Sequence, residues 1–282
     1  MNKMQAFGAP FPIEFSTNSN QKPKTFEWTT EDCPISVFID SAIAEGMQWK
    51  KTDKKGLKVA WVCESRAIFH LIGFPKDLWE KHLQEIAQSY DYVIVSDRQW
   101  CDKAPNIKFC FAGSNLPWVP PVDEIPTKTQ LMSLIASKKK ATFGHQLRHI
   151  IAEKYKDIID LYGAGVKSRF GERDIPWPDK SEALLPYRFS VVIENDKYNT
   201  YFTEKLTDCF ASGTIPIYWG SPDIGDYFNK EGIISLTPDL DFNTITPELY
   251  ESKLEAVKDN LQRVKLMESA DDILYSMLKE LL

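Results

Sequence analysis

The residues with the plainest chemical promise in this chain are Glu194-Asn195 and, seven residues further on, Thr203-Glu204-Lys205. A carboxylate and an ammonium side by side suit a sugar nucleotide. The carboxylate accepts from ribose hydroxyls, and the lysine neutralises phosphate. The flanking residues must position them. Arg188 to Ile193 is an apolar, β-branched run that reads as a buried strand ending at the polar Glu194-Asn195-Asp196. Thr203 is a good N-cap, and Leu206, Cys209 and Phe210 share one helical face. Gly213 ends that helix, and Thr214 to Trp219 reads as a second short buried strand closed by Gly220-Ser221-Pro222. In such a βαβ unit, ligands bind where backbone N–H groups and the positive end of a helix converge.

Glu194, Asn195, Tyr201, Thr203, Glu204, Lys205, Pro216 and Gly220 fall at the spacing of a known pattern. That pattern is F-E-N-[ST]-x(3)-D-Y-[VI]-T-E-K with a hydrophobic-Pro-hydrophobic strand downstream. On these residues the segment resembles the α-1,3-fucosyltransferases, glycosyltransferase family 10. Ile193 stands where Phe is usual, Asp196 replaces a small Ser or Thr, and Thr200 replaces Asp. The resemblance implies an inverting enzyme that transfers L-fucose from GDP-β-L-fucose to a hydroxyl of a glycan. It implies donor contacts from Glu194, Asn195, Tyr201, Thr203, Glu204 and Lys205. The negative charge of Asp196 near the expected nucleotide keeps a second donor class open, a UDP-linked pentose or hexose such as xylose. A non-catalytic nucleotide- or glycan-binding module is the third reading, and the presence of Glu204 and Lys205 argues against it.

Two α/β halves are expected. In the first, Val37–Ile39, Leu57–Cys63, Tyr92–Val95 and Ile107–Phe111 read as strands. Lys76–Ser89 reads as an amphipathic helix, with Leu78, Trp79, His82, Leu83 and Ile86 on one face. The cluster Pro117-Trp118-Val119-Pro120-Pro121 and the VDEIPTKT that follows form the best linker, so domains of 1–125 and 126–282 are expected. Beyond it, Thr129–Ser137 and Gly144–Lys154 read as helical, with a short strand inside Met132–Ala136 as the alternative for the first. Ile158–Tyr162 reads as a strand and Pro247–Leu282 as mostly helix. This organisation suggests an α/β protein in a GT-B arrangement, two facing Rossmann-like domains with the active site in the cleft between them.

Transfer with inversion needs a base for the acceptor's proton and positive charge for the departing diphosphate. Glu64 is the leading base, since it directly follows the apolar run Val59-Ala60-Trp61-Val62-Cys63. The family has a similar strand-then-Glu element, typically G-E-N, followed by a Y-D-Y strand. Cys63 and Ser65 stand in for its Gly and Asn, and Tyr90-Asp91-Tyr92 matches the latter. The family also carries an arginine on the first helix of its C-terminal domain. Arg148 is the counterpart chosen here, with His145 the alternative if the alignment slips by three residues. No cofactor is expected, and a divalent cation would stimulate only by helping product leave. No His/Cys/Asp cluster has metal-ligand spacing, and Asp271-Asp272 reads as solvated surface on a late helix. Trp118 and Trp177 are the aromatics best placed to line an acceptor cleft.

A net charge of −6 argues against a nucleic-acid partner. No segment reaches the roughly 18 apolar residues needed to span a bilayer, and the N-terminus lacks the features of a signal peptide. Animal and plant relatives carry an anchor and stem, so the chain looks like the soluble bacterial or viral form. Five cysteines without a CxxC pair fit a reducing cytoplasm. The expected partners are a nucleotide-sugar donor and a glycan acceptor. The C-terminal amphipathic helix has no basic face and is expected to pack against the body. The oligomeric state is left open.

Overall fold

The strand Leu57–Val62 shows how the apolar runs build this protein. Val59 and Trp61 enter one core, and Ala60 and Val62 enter another. A parallel sheet covered on both faces requires this, and so its strands read as unbroken hydrophobic stretches. The computed structural model describes residues 2–8, 16–18, 21–49, 56–66, 79–163, 167–168, 171–172 and 180–282. It resolves into two compact units. The first comprises Met1–Asn115, Asn199–Tyr201 and Glu268–Leu282, and the second Leu116–Tyr198 and Phe202–Met267.

In the first unit lie β1 (Asn2–Phe7), β2 (Phe26–Thr29), β3 (Ile35–Ile39), β4 (Leu57–Val62), β5 (Tyr92–Val95) and β6 (Ile107–Phe109). They pair in parallel in the order β2-β1-β3-β4-β5-β6. Helices α1 (Ile43–Met47) and α2 (Trp79–Ser89) carry the chain between strands. Leu83 and Ile86 of α2 share a core with Ala60 and Val62. Lys76 and Leu78, expected in this helix, lie outside the described residues. The opposite face of the sheet is covered by the C-terminal helix Ala270–Lys279. Its Ala270, Leu274, Tyr275 and Leu278 pack with Met4, Trp28 and Trp61, so this helix does pack against the body.

Two acidic residues hold that helix down, which corrects their reading as solvated surface. Asp271 and Asp272 are both buried. Asp271 accepts from the backbone N–H of Thr17 (3.1 Å), Asn18 Nδ2 (3.1 Å) and Trp28 Nε1 (2.8 Å). Asp272 accepts from the N–H of Lys24 (2.9 Å) and from Thr25 Oγ1 (2.7 Å). Carboxylates in the first turn of a helix are favoured by its dipole, and each donor offsets part of the cost of burial. These donors come from the N-terminal segment some 250 residues away, where no local pattern could reveal them.

The second unit holds β7 (Gln130–Ile135), α3 (Phe143–Lys154), β8 (Asp160–Tyr162), a small hairpin of β9 (Lys167–Ser168) and β10 (Gly171–Glu172), and α4 (Ser181–Leu184). After them come β11 (Tyr187–Ile193), α5 (Glu204–Ala211), β12 (Ile215–Trp219), β13 (Ile234–Ser235), α6 (Pro247–Ser252) and α7 (Leu254–Leu266). Its sheet is parallel, in the order β13-β12-β11-β7-β8. Residues 130–135 form a strand, where a helix was the first expectation. Met132 and Leu134 enter one core, while Ser133 turns the other way to donate to the carbonyl of Ala183 (2.6 Å). That alternation has a period of two, and β11 and β8 complete the ladder on either side.

The domain boundary differs from the expected break at 125/126. The units divide after Asn115, and residues 268–282, expected in the second domain, belong to the first. The proline-rich stretch is no free linker. Asp208 on α5 accepts at Oδ1 from the N–H groups of Trp118 (2.7 Å) and Val119 (2.9 Å). Val122 N–H donates to the carbonyl of Ala211 (2.9 Å), so the segment is strapped along α5.

Candidate nucleotide-sugar site

At the end of β11 the backbone N–H of Glu194 still pairs with the carbonyl of Trp219 (2.9 Å), so the carboxylate projects from an ordered sheet edge. Gly220 leaves it room. A Cβ there would lie 2.2 Å from the Tyr218 hydroxyl and 2.8 Å from Glu194 Cγ. Both Glu194 oxygens are used at the start of α5. Oε1 accepts from Thr203 N–H (2.9 Å) and Oε2 from the Thr203 hydroxyl (2.8 Å). The Thr203 hydroxyl in turn caps α5 by accepting from Lys205 N–H (3.4 Å) and receives the Lys205 ammonium (3.0 Å). Strand end, helix cap and lysine thus form one hydrogen-bonded chain.

Lys205 Nζ also lies 3.2 Å from Glu204 Oε1 and 3.6 Å from Glu194 Oε2. Its side chain is 26% exposed, against 0% for Glu194 and 8% for Glu204. The ammonium is therefore the charge of this trio that solvent or a ligand reaches most readily. Burial raises the Glu194 carboxyl, and Lys205 only partly opposes it. Burial also acts to raise Glu204, but Lys205 and Lys180 outweigh it and hold that carboxyl at about 2.

Lys180 went unnoticed in the sequence. Its Nζ lies 2.7 Å from Asp208 Oδ2, 3.4 Å from Glu204 Oε1 and 4.5 Å from the centre of the Trp118 ring. Burial acts to lower the Lys180 pKa, but Asp208 and Glu204 raise it overall, so the ammonium stays charged. The i, i+4 spacing of Glu204 and Asp208 places two carboxylates on one helical face and was the available signal for a buried cation between them. Trp118, expected at an acceptor cleft, is half-buried and packs over Lys180 within this unit.

Helix α3 starts against the same strand end. A Cβ on Gly144 would come within 1.8 Å of the Glu194 carbonyl oxygen, so only glycine permits this approach. Arg148, one turn on, is buried. It donates Nε to the Ile193 carbonyl (2.9 Å) and Nη2 to that carbonyl and to Asn195 Oδ1 (3.0 Å). The guanidinium fork thus holds Ile193 and Asn195 in place. His145, the alternative, forms a capping box with Thr142. Its N–H donates to Thr142 Oγ1 (3.1 Å), and its Nδ1 accepts from Thr142 N–H (3.3 Å). Burial, then Arg148, lowers this imidazole to about 4, leaving it neutral at ordinary pH.

The structure thus brings Glu194, Asn195, Thr203, Glu204, Lys205 and Arg148 together at one edge of the second unit. Glu64 and Tyr201 belong to the first unit. Glu64 follows β4 at the sheet's C-terminal edge and is exposed, and Tyr201 is buried. Thr200, beside it, adopts φ +69 and donates to the carbonyl of Ser96 after β5. Trp177 lies outside the described residues. Among the described residues, no group of three or more His, Cys, Asp or Glu side chains could hold a metal ion, and no helix is long and apolar enough to cross a membrane.

Residues 125–259 match the family model described as glycosyltransferase family 10 (fucosyltransferase), C-terminal. The α-(1,3)-fucosyltransferase FucT of Helicobacter pylori is 30% identical over 146 residues, which make up 51% of this chain and 29% of that protein. The chain therefore spans under a third of that relative's length. Among solved structures, an α1,3-fucosyltransferase with GDP-fucose superposes with a TM-score of 0.52 at 17% identity, covering 97% of this chain and 88% of the other. Sucrose-phosphate synthase from Thermosynechococcus elongatus gives 0.55 at 14% identity, with 86% and 72% covered. At these identities the likeness speaks for the fold, two parallel-sheet α/β domains of GT-B type. The family match covers the strand end, helix cap and Lys205 just described, so residues 125–259 are similar to the C-terminal domain of glycosyltransferase family 10.

Proposed function

We propose that this protein is an inverting glycosyltransferase that moves L-fucose from GDP-β-L-fucose to a hydroxyl of a glycan. The observation that carries the reading is the chain from Glu194 through Thr203 to Lys205, which holds an accessible ammonium at the start of α5 beside the buried Glu204. Lys205 would take the diphosphate, aided by the first-turn N–H groups of α5. Glu204, kept ionised by Lys205 and Lys180, would accept from ribose hydroxyls. Arg148 and Asn195 would shape the pocket floor through the Ile193 carbonyl. Glu64, exposed at its own sheet edge, would take the acceptor's proton. Cationic side chains supply the countercharge in this scheme, so turnover is expected to continue in EDTA and to stop there if a metal is required.

The donor is tested by thermal shift with GDP, UDP, GDP-fucose and a UDP-pentose. A ligand that binds only the folded chain raises the midpoint in proportion to RT ln(1 + [L]/Kd). GDP and GDP-fucose should stabilise the wild type and lose that effect in Lys205→Ala. Stabilisation by the uridine nucleotides alone would shift the assignment to a UDP-sugar, the reading that Asp196 keeps in view. Binding without turnover on any acceptor would mark a non-catalytic module.

A further inference from the structure

The backbone that carries Glu64 is held by a carboxyl group from the neighbouring strand. Asp40 follows β3 directly, and β3 pairs with β4 up to Ile39 opposite Trp61. It adopts φ +44, in the left-handed region that side chains other than glycine seldom occupy. This turn carries its side chain toward the end of β4. There a single oxygen, Oδ1, accepts from the N–H groups of two consecutive residues, Cys63 (2.9 Å) and Glu64 (3.3 Å). The Asp40 side chain is buried, whereas Glu64 is exposed. An unusual backbone conformation at a sheet's C-terminal edge, spent on gripping one partner strand, calls for a local purpose.

We propose that Asp40 is a positioning residue for Glu64: its carboxyl group clamps the backbone from Cys63 to Glu64 and so fixes where the Glu64 carboxylate stands. This rests on the reading of Glu64 as the base. A clamp on two successive N–H groups restrains both the direction and the rotation of the chain at that point, as a catalytic group on a strand end requires. The titratable groups that face Asp40 are Glu64 and Cys63, with Asp271 and Cys110 near Cys63 in turn. Next along the same edge, Arg66 pairs with Asp97. Burial, and after it the nearby Glu64, raises the Asp40 carboxyl to about 7, against the pull of its two backbone donors. Asp40 therefore changes charge within the ordinary assay range.

The test combines amide exchange at Cys63 and Glu64 with GDP release from GDP-fucose between pH 5 and 9. Wild type, Asp40→Asn, Asp40→Ala and Glu64→Gln are compared. Asp40→Ala should speed exchange at both amides and lower kcat about 10- to 100-fold, with KM for GDP-fucose within about twofold. Asp40→Asn keeps an oxygen that accepts from both amides, so exchange and kcat should return to within about fivefold of wild type. Wild type is expected to show a pH step near 7 as Asp40 titrates, and Asp40→Asn to lack it. Unchanged exchange in Asp40→Ala, or Asp40→Asn as impaired as Asp40→Ala, overturns the clamp whatever the base is. Should Asp40→Ala fail to fold, Asp40→Gly, which accepts φ +44 and lacks the carboxyl group, takes its place, and unchanged exchange at both amides in that variant overturns the clamp. Full turnover in Glu64→Gln overturns the base reading and this proposal with it, while the exchange result still reports separately on the backbone clamp.

Discussion

Glu194 and Glu64 both follow a central strand of a parallel sheet, yet the two carboxylates live under opposite conditions. Glu194 is fully buried, with both oxygens engaged by Thr203 and Lys205 close by. Glu64 is exposed, and its own backbone rather than its side chain is what Asp40 holds. A carboxylate whose lone pairs are already satisfied inside the protein serves to build a site. One that stands exposed at an edge under backbone control meets what the proposed base would need. The contrast predicts that changes at Glu64 act on turnover and changes at Glu194 on stability.

The largest effect should come from Glu64→Gln, which keeps size and hydrogen bonding but cannot take a proton. Turnover should fall about 10²- to 10⁴-fold, with nucleotide affinity and melting temperature near wild type. A loss of stability in place of turnover would erase the distinction between the two residues. Glu194→Ala should do the reverse. It leaves Lys205 short of one carboxylate and frees the cap of α5, for an expected cost of about 3–5 kcal/mol. Urea denaturation reads this directly, and a variant within about 1 kcal/mol of wild type would show that the Glu194–Thr203 link is dispensable.

Lys205→Ala sharpens the comparison from the ligand's side. Losing a charge-assisted contact to diphosphate should cost about 1.5–3 kcal/mol, or roughly 10- to 150-fold in GDP affinity. Titration of GDP into the two proteins decides it, and affinities within twofold of each other would remove Lys205 from the phosphate. The smallest effect contrasts Lys205 with Lys128, a buried cation of the same unit. Among the described residues that ammonium donates to neutral acceptors, the carbonyls of Leu185 (2.9 Å) and Ser212 (2.7 Å) and the Thr214 hydroxyl (3.1 Å). Burial lowers it to about 7. Between that value and the ordinary lysine range the unfolded chain binds a proton that the folded one refuses. The folded state should therefore gain stability as pH rises from 7 towards 10, by a few kcal/mol at most. Denaturation of wild type and Lys128→Met at pH 7, 8.5 and 10 tests this, and equal pH slopes would overturn it.

Much of the second unit was legible because its signals are local. The apolar run into Glu194, the Thr203 cap and the helical face of Leu206, Cys209 and Phe210 each lie within one element, and the structure has all of them. Residues 130–135 were misjudged because a short apolar run fits a helix or a strand equally well. Pairing with β11 and β8 settled it. The proline-rich stretch misled for a related reason. Proline marks chain that cannot join a ladder, but it does not reveal whether a carboxylate elsewhere, here Asp208, will strap that chain down.

The sequence by itself determined two parallel α/β units, a helix that starts with Thr203, and a lysine beside two glutamates at that start. Strand periodicity, capping and residue spacing act over a few positions, and these features need nothing more. Only the tertiary structure decided what the charged groups do. It spent the Arg148 fork on Ile193 and Asn195 and placed Lys180 between Glu204 and Asp208. It buried Asp271 and Asp272 under the N-terminal segment and set Asp40 behind Glu64. Those assignments follow from the cost of burying a charge or an N–H without a partner. The partners that remove that cost lie 24 to 254 residues away along the chain.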